Sequence, residues 1–291
     1  MAVSLRPSRE EDLAELVRIQ YRALGFERHL EKLALDHVTP LIRHCHDYGK
    51  TIVAESDGRL AGFAAGHERD GTWFLGEFFV NPDLQLGGIG QRLLTASVPS
   101  GIPIATVATE DLRAQALYAR FGMTPRWPSY NLEAKKASIS SLPPTNLEVH
   151  DADVDDAAWA AWDQKICGRD RWQDLDFHAR HWNGSRYWIA RAGRRVGYGA
   201  VSRRAPGRAT IGPVGALSPV DAAECVLAMV HHTLADPEVD TVMLDVPGPH
   251  PALPVLLSGG FIIDELNVFC ASDPARFGDP RRYVQLSAAL C

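Results

Sequence analysis

Apolar positions in the first half of the chain follow two periods, and these predict the order of its elements. Val3 to Arg6 alternates as a short strand. Leu13, Leu16, Val17, Tyr21 and Leu24 then recur at helical spacing as far as Gly25. Ser8 with Glu11 three residues later has the form of a capping box and predicts where that helix begins. A second helical pattern covers roughly 27–45. Thr51–Glu55 and Leu60–His67 flank Asp57-Gly58, the signature of a hairpin with a tight turn. Arg69-Asp70-Gly71 turns the chain into a further strand, Trp73–Val80, which ends at Asn81-Pro82 because proline cannot continue a ladder. A helix opening at Gln91, a strand over 102–108, a helix over 111–121 and a strand over 123–132 complete the half.

From Ala134 to Asn146 the chain is polar and carries Pro143-Pro144, the composition of a linker, and this places a boundary between residues 1–142 and 143–291. Beyond it the order starts again. Leu147–His150 is expected as a strand, Val154–Ile166 as a helix, and a second helix should end near Trp182. Ile52-Val53-Ala54 before Gly58 is echoed by Trp188-Ile189-Ala190 before Gly193. The strand ending at Ser218-Pro219 echoes the one ending at Asn81-Pro82, and Gly260-Phe261 echoes Gly122-Met123. The expected class is therefore α/β, built as two tandem copies of one domain, each a mixed twisted sheet flanked by helices.

The copies differ where chemistry is expected. After the strand Trp73–Val80 the first copy reads Gln85-Leu86-Gly87-Gly88-Ile89-Gly90-Gln91 and passes into a helix. Glycines there let backbone N–H groups approach a ligand, and a helix N-terminus adds partial positive charge, so the stretch suits a pyrophosphate. It is neither a dinucleotide-binding G-x-G-x-x-G nor a P-loop, which needs Gly-Lys-Ser/Thr. A turn that merely joins strand to helix is the structural alternative. The corresponding stretch of the second copy, Val220–Leu227, contains no glycine.

Q-x-x-G-x-G after a strand, followed one strand later by the helix Ala114-Gln115-Ala116-Leu117-Tyr118-Ala119-Arg120-Phe121-Gly122-Met123, resembles the GNAT superfamily of acyl-CoA-dependent N-acetyltransferases. The resemblance implies acetyl-CoA as acyl donor, with its pyrophosphate held by 85–91 and its pantetheine arm bonded by the backbone near Phe79 and Val80. It also implies that Tyr118 faces the thioester sulfur and donates the proton that the thiolate takes up. Where family members often carry a basic carboxylate, this chain has Phe74 and Thr106, neither of which can accept a proton. Glu77 is the nearest carboxylate and the candidate base, ahead of Glu110, His67 or a water chain. Leu256 stands where a second Tyr118 would be, so the second copy is expected to be a degenerate partner that contributes to the acceptor site or to structure.

Charge narrows the partners. The chain of 291 residues carries a net −6. Residues 1–142 hold 16 basic and 17 acidic side chains, and residues 143–291 hold 14 and 19. No basic excess favours nucleic acid, and a small-molecule amine fits better. Five scattered cysteines without a C-x-x-C pair fit reduced thiols, and no run of about 18 apolar residues predicts a membrane span. A cytoplasmic monomer or homodimer without a metal is the expectation. His44-Cys45-His46 and His231-His232 are expected to be solvated helix positions, and the five tryptophans of the second half to be core. The expected activity is acetyl transfer to a small-molecule primary amine. The alternatives are a non-catalytic acyl-CoA-binding regulator and an acetyltransferase acting on protein amines.

Overall fold

A computed structural model describes residues 3–30, 32, 34, 36–84 and 87–290. Contacts gather the chain into two compact units, Met1–Ile104 and Ala105–Cys291. The first unit opens with β1 (Val3–Pro7), α1 (Leu13–Ala23), α2 (Glu27–Leu30) and α3 (Pro40–Tyr48). Then follow β2 (Lys50–Ser56), β3 (Arg59–Arg69), β4 (Thr72–Val80) and α4 (Ile89–Ser97). Strands β1-β2-β3-β4 form an antiparallel meander. Its two hairpin turns place Asp57-Gly58 and Asp70-Gly71 at positive φ (51° and 73°, 49° and 69°). These are the paired left-handed residues that match the twist of flanking strands.

Two helix boundaries depart from the sequence expectation. The Ser8 hydroxyl does not cap α1; it lies 2.8 Å from His46 Nδ1. Asp12 holds the N-cap position of α1 without a side-chain cap bond; its carboxylate turns back to the 3-10 turn Glu10–Asp12 ahead of the helix, accepting from the Arg9 backbone N–H (2.7 Å) and from both terminal nitrogens of Arg6. The pattern over 27–45 splits into α2 and α3, because Pro40 cannot sit inside a helix but is well placed in a first turn, where Thr39 caps it. Leu13, Leu16, Val17 and Ile19 of α1 pack with Ile42, Cys45, Val53, Phe63 and Ala65 to form the core of this unit. Each such buried side chain contributes about 1.5–3 kcal/mol relative to exposure.

The second unit holds β5 (Ile104–Ala108, whose first residue closes the first unit), α5 (Leu112–Arg120), β6 (Thr124–Lys135), β7 (Glu148–Ala152), α6 (Ala157–Cys167) and α7 (Trp172–His181). It continues with β8 (Ser185–Arg191), β9 (Arg194–Ala205), β10 (Arg208–Ala216), α8 (Ala222–Ala235), β11 (Thr241–Pro247), α9 (Ala252–Ser258), β12 (Ile262–Ala271) and β13 (Tyr283–Val284). The order of strands from β7 to β12, with α8 and α9 between them, repeats that from β1 to β6 with α4 and α5, as the duplicated sequence predicts, while α6 and α7 stand where the first copy has α1, α2 and α3. The strand order in this unit is β5-β12-β6-β11-β10-β9-β8-β7, with β13 on β10. Strand β6 thus lies between β12 and β11, and β12 between β5 and β6, so the copies exchange their last strands. The 134–146 stretch belongs to this unit and is mostly exposed, with Leu142 lying against the core and the Ser140 N–H donating to the Gly259 carbonyl.

The tryptophans of this unit are mostly core. Trp159, Trp182 and Trp188 are buried, and Trp162 meets Trp188 edge-on, whereas Trp172 is 56% exposed. Beside them Arg171 and Tyr198 bind the buried carboxylate of Asp163 at 2.7–2.9 Å. Burial alone would raise that carboxyl, but the Arg171 guanidinium outweighs it and holds Asp163 below its ordinary range.

Candidate active site

Strand β4 changes character along its length. Thr72 to Leu75 are buried, whereas Phe78, Phe79 and Val80 are half-exposed, so the strand surfaces as it approaches Asn81-Pro82. Gly62 of β3 lies so close to this end that a Cβ there would stand 2.7 Å from the Phe79 carbonyl oxygen. Asn81 fixes the exit: its N–H donates to the Ala61 carbonyl, and a short 3-10 turn over Pro82–Leu84 follows. Gln85 and Leu86 lie outside the described residues. Gly87 (φ 123°) and Gly88 (φ 73°) then bring the chain to α4, where Gly88 is the left-handed N-cap. A Cβ built on either glycine would meet nothing within 4 Å. Their glycine character answers a backbone conformation and leaves open space in front of the helix.

Ile89, Gly90 and Gln91 form the first turn of α4. Ile89 is buried and anchors the turn, and Gln91 is exposed. The backbone N–H groups of a first turn have no partner inside the helix and carry its positive dipole end. An open, glycine-lined helix start beside a surfacing strand end fits the phosphates of a nucleotide-type donor.

Glu77 sits two residues before Phe79, buried to 5% exposure. Its Oε2 accepts one hydrogen bond, 2.8 Å from Gln20 Nε2 on α1. Burial pushes its carboxyl up to about 8, with the Gln20 bond acting in the opposite sense. Gln20 is a partner of Glu77 that the sequence reading missed. The signal for it was present: it falls four residues after Leu16 and three after Val17, a polar side chain next to the apolar stripe of α1. Of the weaker candidates, His67 is buried with its ring 5.8 Å from that of Phe74, and Glu110 is exposed ahead of α5.

Tyr118 belongs to the second unit, 6% exposed near the end of α5, with its backbone carbonyl accepting from the Met123 N–H (3.1 Å). Asp111 caps that helix by accepting from the Arg113 N–H. Gly122, at φ 90°, supplies the left-handed turn. The second copy reproduces this terminus: Gly260 has φ 105°, and the Phe261 N–H donates to the Leu256 carbonyl at 3.1 Å. Leu256, fully buried in the apolar core, therefore occupies the place of Tyr118 with no group to give a proton.

The second copy also lacks the open loop. Parallel pairing of β10 with β11 runs from Arg208–Thr241 to Ile211–Leu244. Further along, Val214 and Gly215 pair with Val284 and Tyr283 of β13, and the Ala216 N–H donates to the Arg282 carbonyl at 3.0 Å. Ala216 stands three residues before Pro219, as Phe79 stands three before Pro82. The chain's own tail has taken the backbone edge that the resemblance assigns to pantetheine in the first copy. Gly212 permits this approach, since a Cβ there would stand 2.5 Å from the Gln285 carbonyl oxygen.

Other sequence candidates have structural partners. Cys45 is buried in the α1–α3 core, the His44 ring lies 5.2 Å from that of Tyr48, and His231 bonds the Pro143 carbonyl. Among the described residues no group of three or more His, Cys, Asp or Glu side chains could hold a metal ion, and no helix is long and apolar enough to cross a membrane. A groove between 141–144 and α9 is lined by Ser, Leu, Pro and Val and offers no titratable group.

The surfacing strand, the glycine N-cap and the repeated strand order belong to a mixed α/β fold. Residues 11–123 match the model of the acetyltransferase (GNAT) family. No curated protein matches the chain. Among solved structures, it is similar to a putative acetyltransferase from Pyrococcus horikoshii at 17% identity and TM-score 0.74, covering 99% of this chain and 96% of that one. A tandem GNAT protein from the clavulanic acid biosynthesis pathway matches at 15% identity and TM-score 0.61 over 93% and 98% of the two chains. A GCN5-related N-acetyltransferase from Sphaerobacter thermophilus matches at 13% and 0.64 over 92% and 95%. At these identities the likeness is one of fold, and it extends over both copies.

Proposed function

We propose that the chain is an N-acetyltransferase that moves the acetyl group of acetyl-CoA to the primary amine of a small molecule, with the donor bound by the first copy. The observation that carries the reading is the half-exposed end of β4 running into the left-handed Gly88 cap and the open first turn of α4. Residues 87–91 would take the pyrophosphate, together with Gln85 and Leu86, and the backbone at Phe79 and Val80 would bond the pantetheine arm. An amine attacks a thioester carbonyl only when deprotonated, and Glu77 is the group assigned to accept its proton. Tyr118 is assigned to protonate the departing thiolate.

Residues 1–142 and 143–291 are the two copies of this reading, and the second contributes to recognition of the acceptor. Its strand β12 pairs with β5, so the sheet beside β5 is completed by the second copy. A fragment ending at 142 would strip β5 and β6 of their partner strands, and for that reason the full chain is the material to test. The experiment is a screen of small primary amines for acetyl-CoA-dependent thiol release, with lysine peptides and longer acyl-CoA donors as comparison arms. Saturable release with a small amine supports the reading. Release only with peptides moves the acceptor to protein amines, and donor binding without release under any condition leaves a binding protein.

A further inference from the structure

We propose that Gln20 is the positioning residue for the base of this reaction, holding the Glu77 carboxylate by its amide N–H so that the opposite oxygen faces the incoming amine. The inference rests on the reading of Glu77 as base. Its starting point is geometric: Gln20 Nε2 stands 2.8 Å from Glu77 Oε2, a bond between α1 and β4 across 57 residues of sequence. Glu77 is 5% exposed, and Oε2 is the oxygen that the Gln20 amide ties.

Among the described residues no charged side chain is found to share the task. On α1, Arg22 turns to Glu15 at 3.0 Å, and Arg18 turns to the Ala34 carbonyl. On β3 the residue opposite Glu77 is Ala65, and His67, further along, packs its ring on Phe74. On α4, Arg92 donates to the Val3 carbonyl. The carboxylate is therefore stabilised by a neutral amide donor rather than by a cation. A cation would hold it ionised but weaken it as a base, whereas burial without a donor would keep it protonated. An amide donor sets an intermediate position, with the carboxyl at about 8, where a base accepts a proton and returns it readily.

The test uses two substitutions of similar length and opposite sign in the full chain. Gln20→Met keeps the shape and removes the donor; Gln20→Lys keeps a donor and adds charge. Carbon-13 NMR of glutamate-labelled protein, with Glu77→Gln to assign the signal, follows the carboxyl directly, and the pH profile of thiol release follows the reaction. Calorimetric binding of acetyl-CoA confirms that each variant is folded. The expected result is an upward displacement of the Glu77 titration and of the acid limb of kcat by about one to two pH units in Gln20→Met, the size of a hydrogen bond to a charged group. A downward displacement is expected in Gln20→Lys, with donor affinity unchanged in both. A purely structural Gln20 would not move the two variants in opposite directions. Titration and limb that stay in place in both variants overturn the proposal. A titration that moves while Glu77→Gln keeps full activity shows instead that Gln20 tunes Glu77 but that the base of the reaction lies elsewhere.

Discussion

The two copies follow the same order of strands and diverge at the two places to which the proposed acyl transfer assigns particular atoms. After β4 the chain has glycines at φ 123° and 73° facing open space; after β10 it has Ser218-Pro219 and the glycine-free start of α8. Near the end of α5 stands Tyr118, and at the matching place in α9 stands Leu256, each with the same carbonyl bond to the residue five positions on. The glycine turn that closes α5 and α9 is retained in both, at Gly122 and Gly260. The second copy has kept its packing and filled the vacated edge of β10 with β13, anchored by the buried Leu286 and Leu290 and by Arg171 bonding the Leu290 carbonyl. A fold can thus outlast its site when neighbouring chain covers the backbone groups that a ligand would otherwise satisfy.

The largest effect that would sharpen this contrast is expected from Tyr118→Phe. Loss of the phenol should lower kcat by about 100-fold to 10,000-fold with acetyl-CoA affinity unchanged, as measured by steady-state kinetics beside calorimetry. An unchanged kcat would make Tyr118 the equivalent of Leu256 and erase that half of the comparison. Glu77→Gln should lower kcat by about 100-fold and remove the rise of rate with pH through about 8. The sign follows from burial: the carboxyl is protonated below about 8 and accepts a proton only above it. The same displacement acts on stability. A carboxyl raised in the folded state from about 4.3 makes the fold less stable as pH rises between those two values. Glu77→Gln should therefore melt higher than the natural protein at pH 9 and no higher at pH 5, as thermal unfolding at the two pH values would show.

The smallest effect concerns the tail. Gly212→Ala drives a Cβ to 2.5 Å from the Gln285 carbonyl oxygen and should cost about 1–3 kcal/mol in denaturant unfolding, with donor affinity at the first copy unaltered. A neutral result there would show that β13 is loosely held and that the edge of β10 is more open than its hydrogen bonds imply.

The sequence was most legible where period and turn chemistry act locally. The two hairpins followed from Asp57-Gly58 and Asp70-Gly71, the strand end from Pro82, and the duplication from repeated short strings. The start of α1 was misplaced because both Ser8 and Asp12 could cap it, and each is drawn to a partner outside the helix, His46 for the first and Arg6 for the second. Exchange of β6 and β12 could not be seen, since it depends on which strands meet across more than 100 residues and not on any local pattern. Tyr283-Val284 is too short to predict as a strand and exists as one only because β10 presents an edge. Gln20 was passed over for a similar reason: its meaning lies in Glu77, 57 positions away.

The central claim is that one copy binds the donor and the other does not, and calorimetric titration of the full chain with acetyl-CoA tests it most directly. The account predicts a stoichiometry of one donor per chain, abolished by Gly88→Val, because a β-branched residue is strained at φ 73° and fills the open approach to α4. Two sites per chain, or one site that survives Gly88→Val in a protein that still unfolds cooperatively, would contradict it.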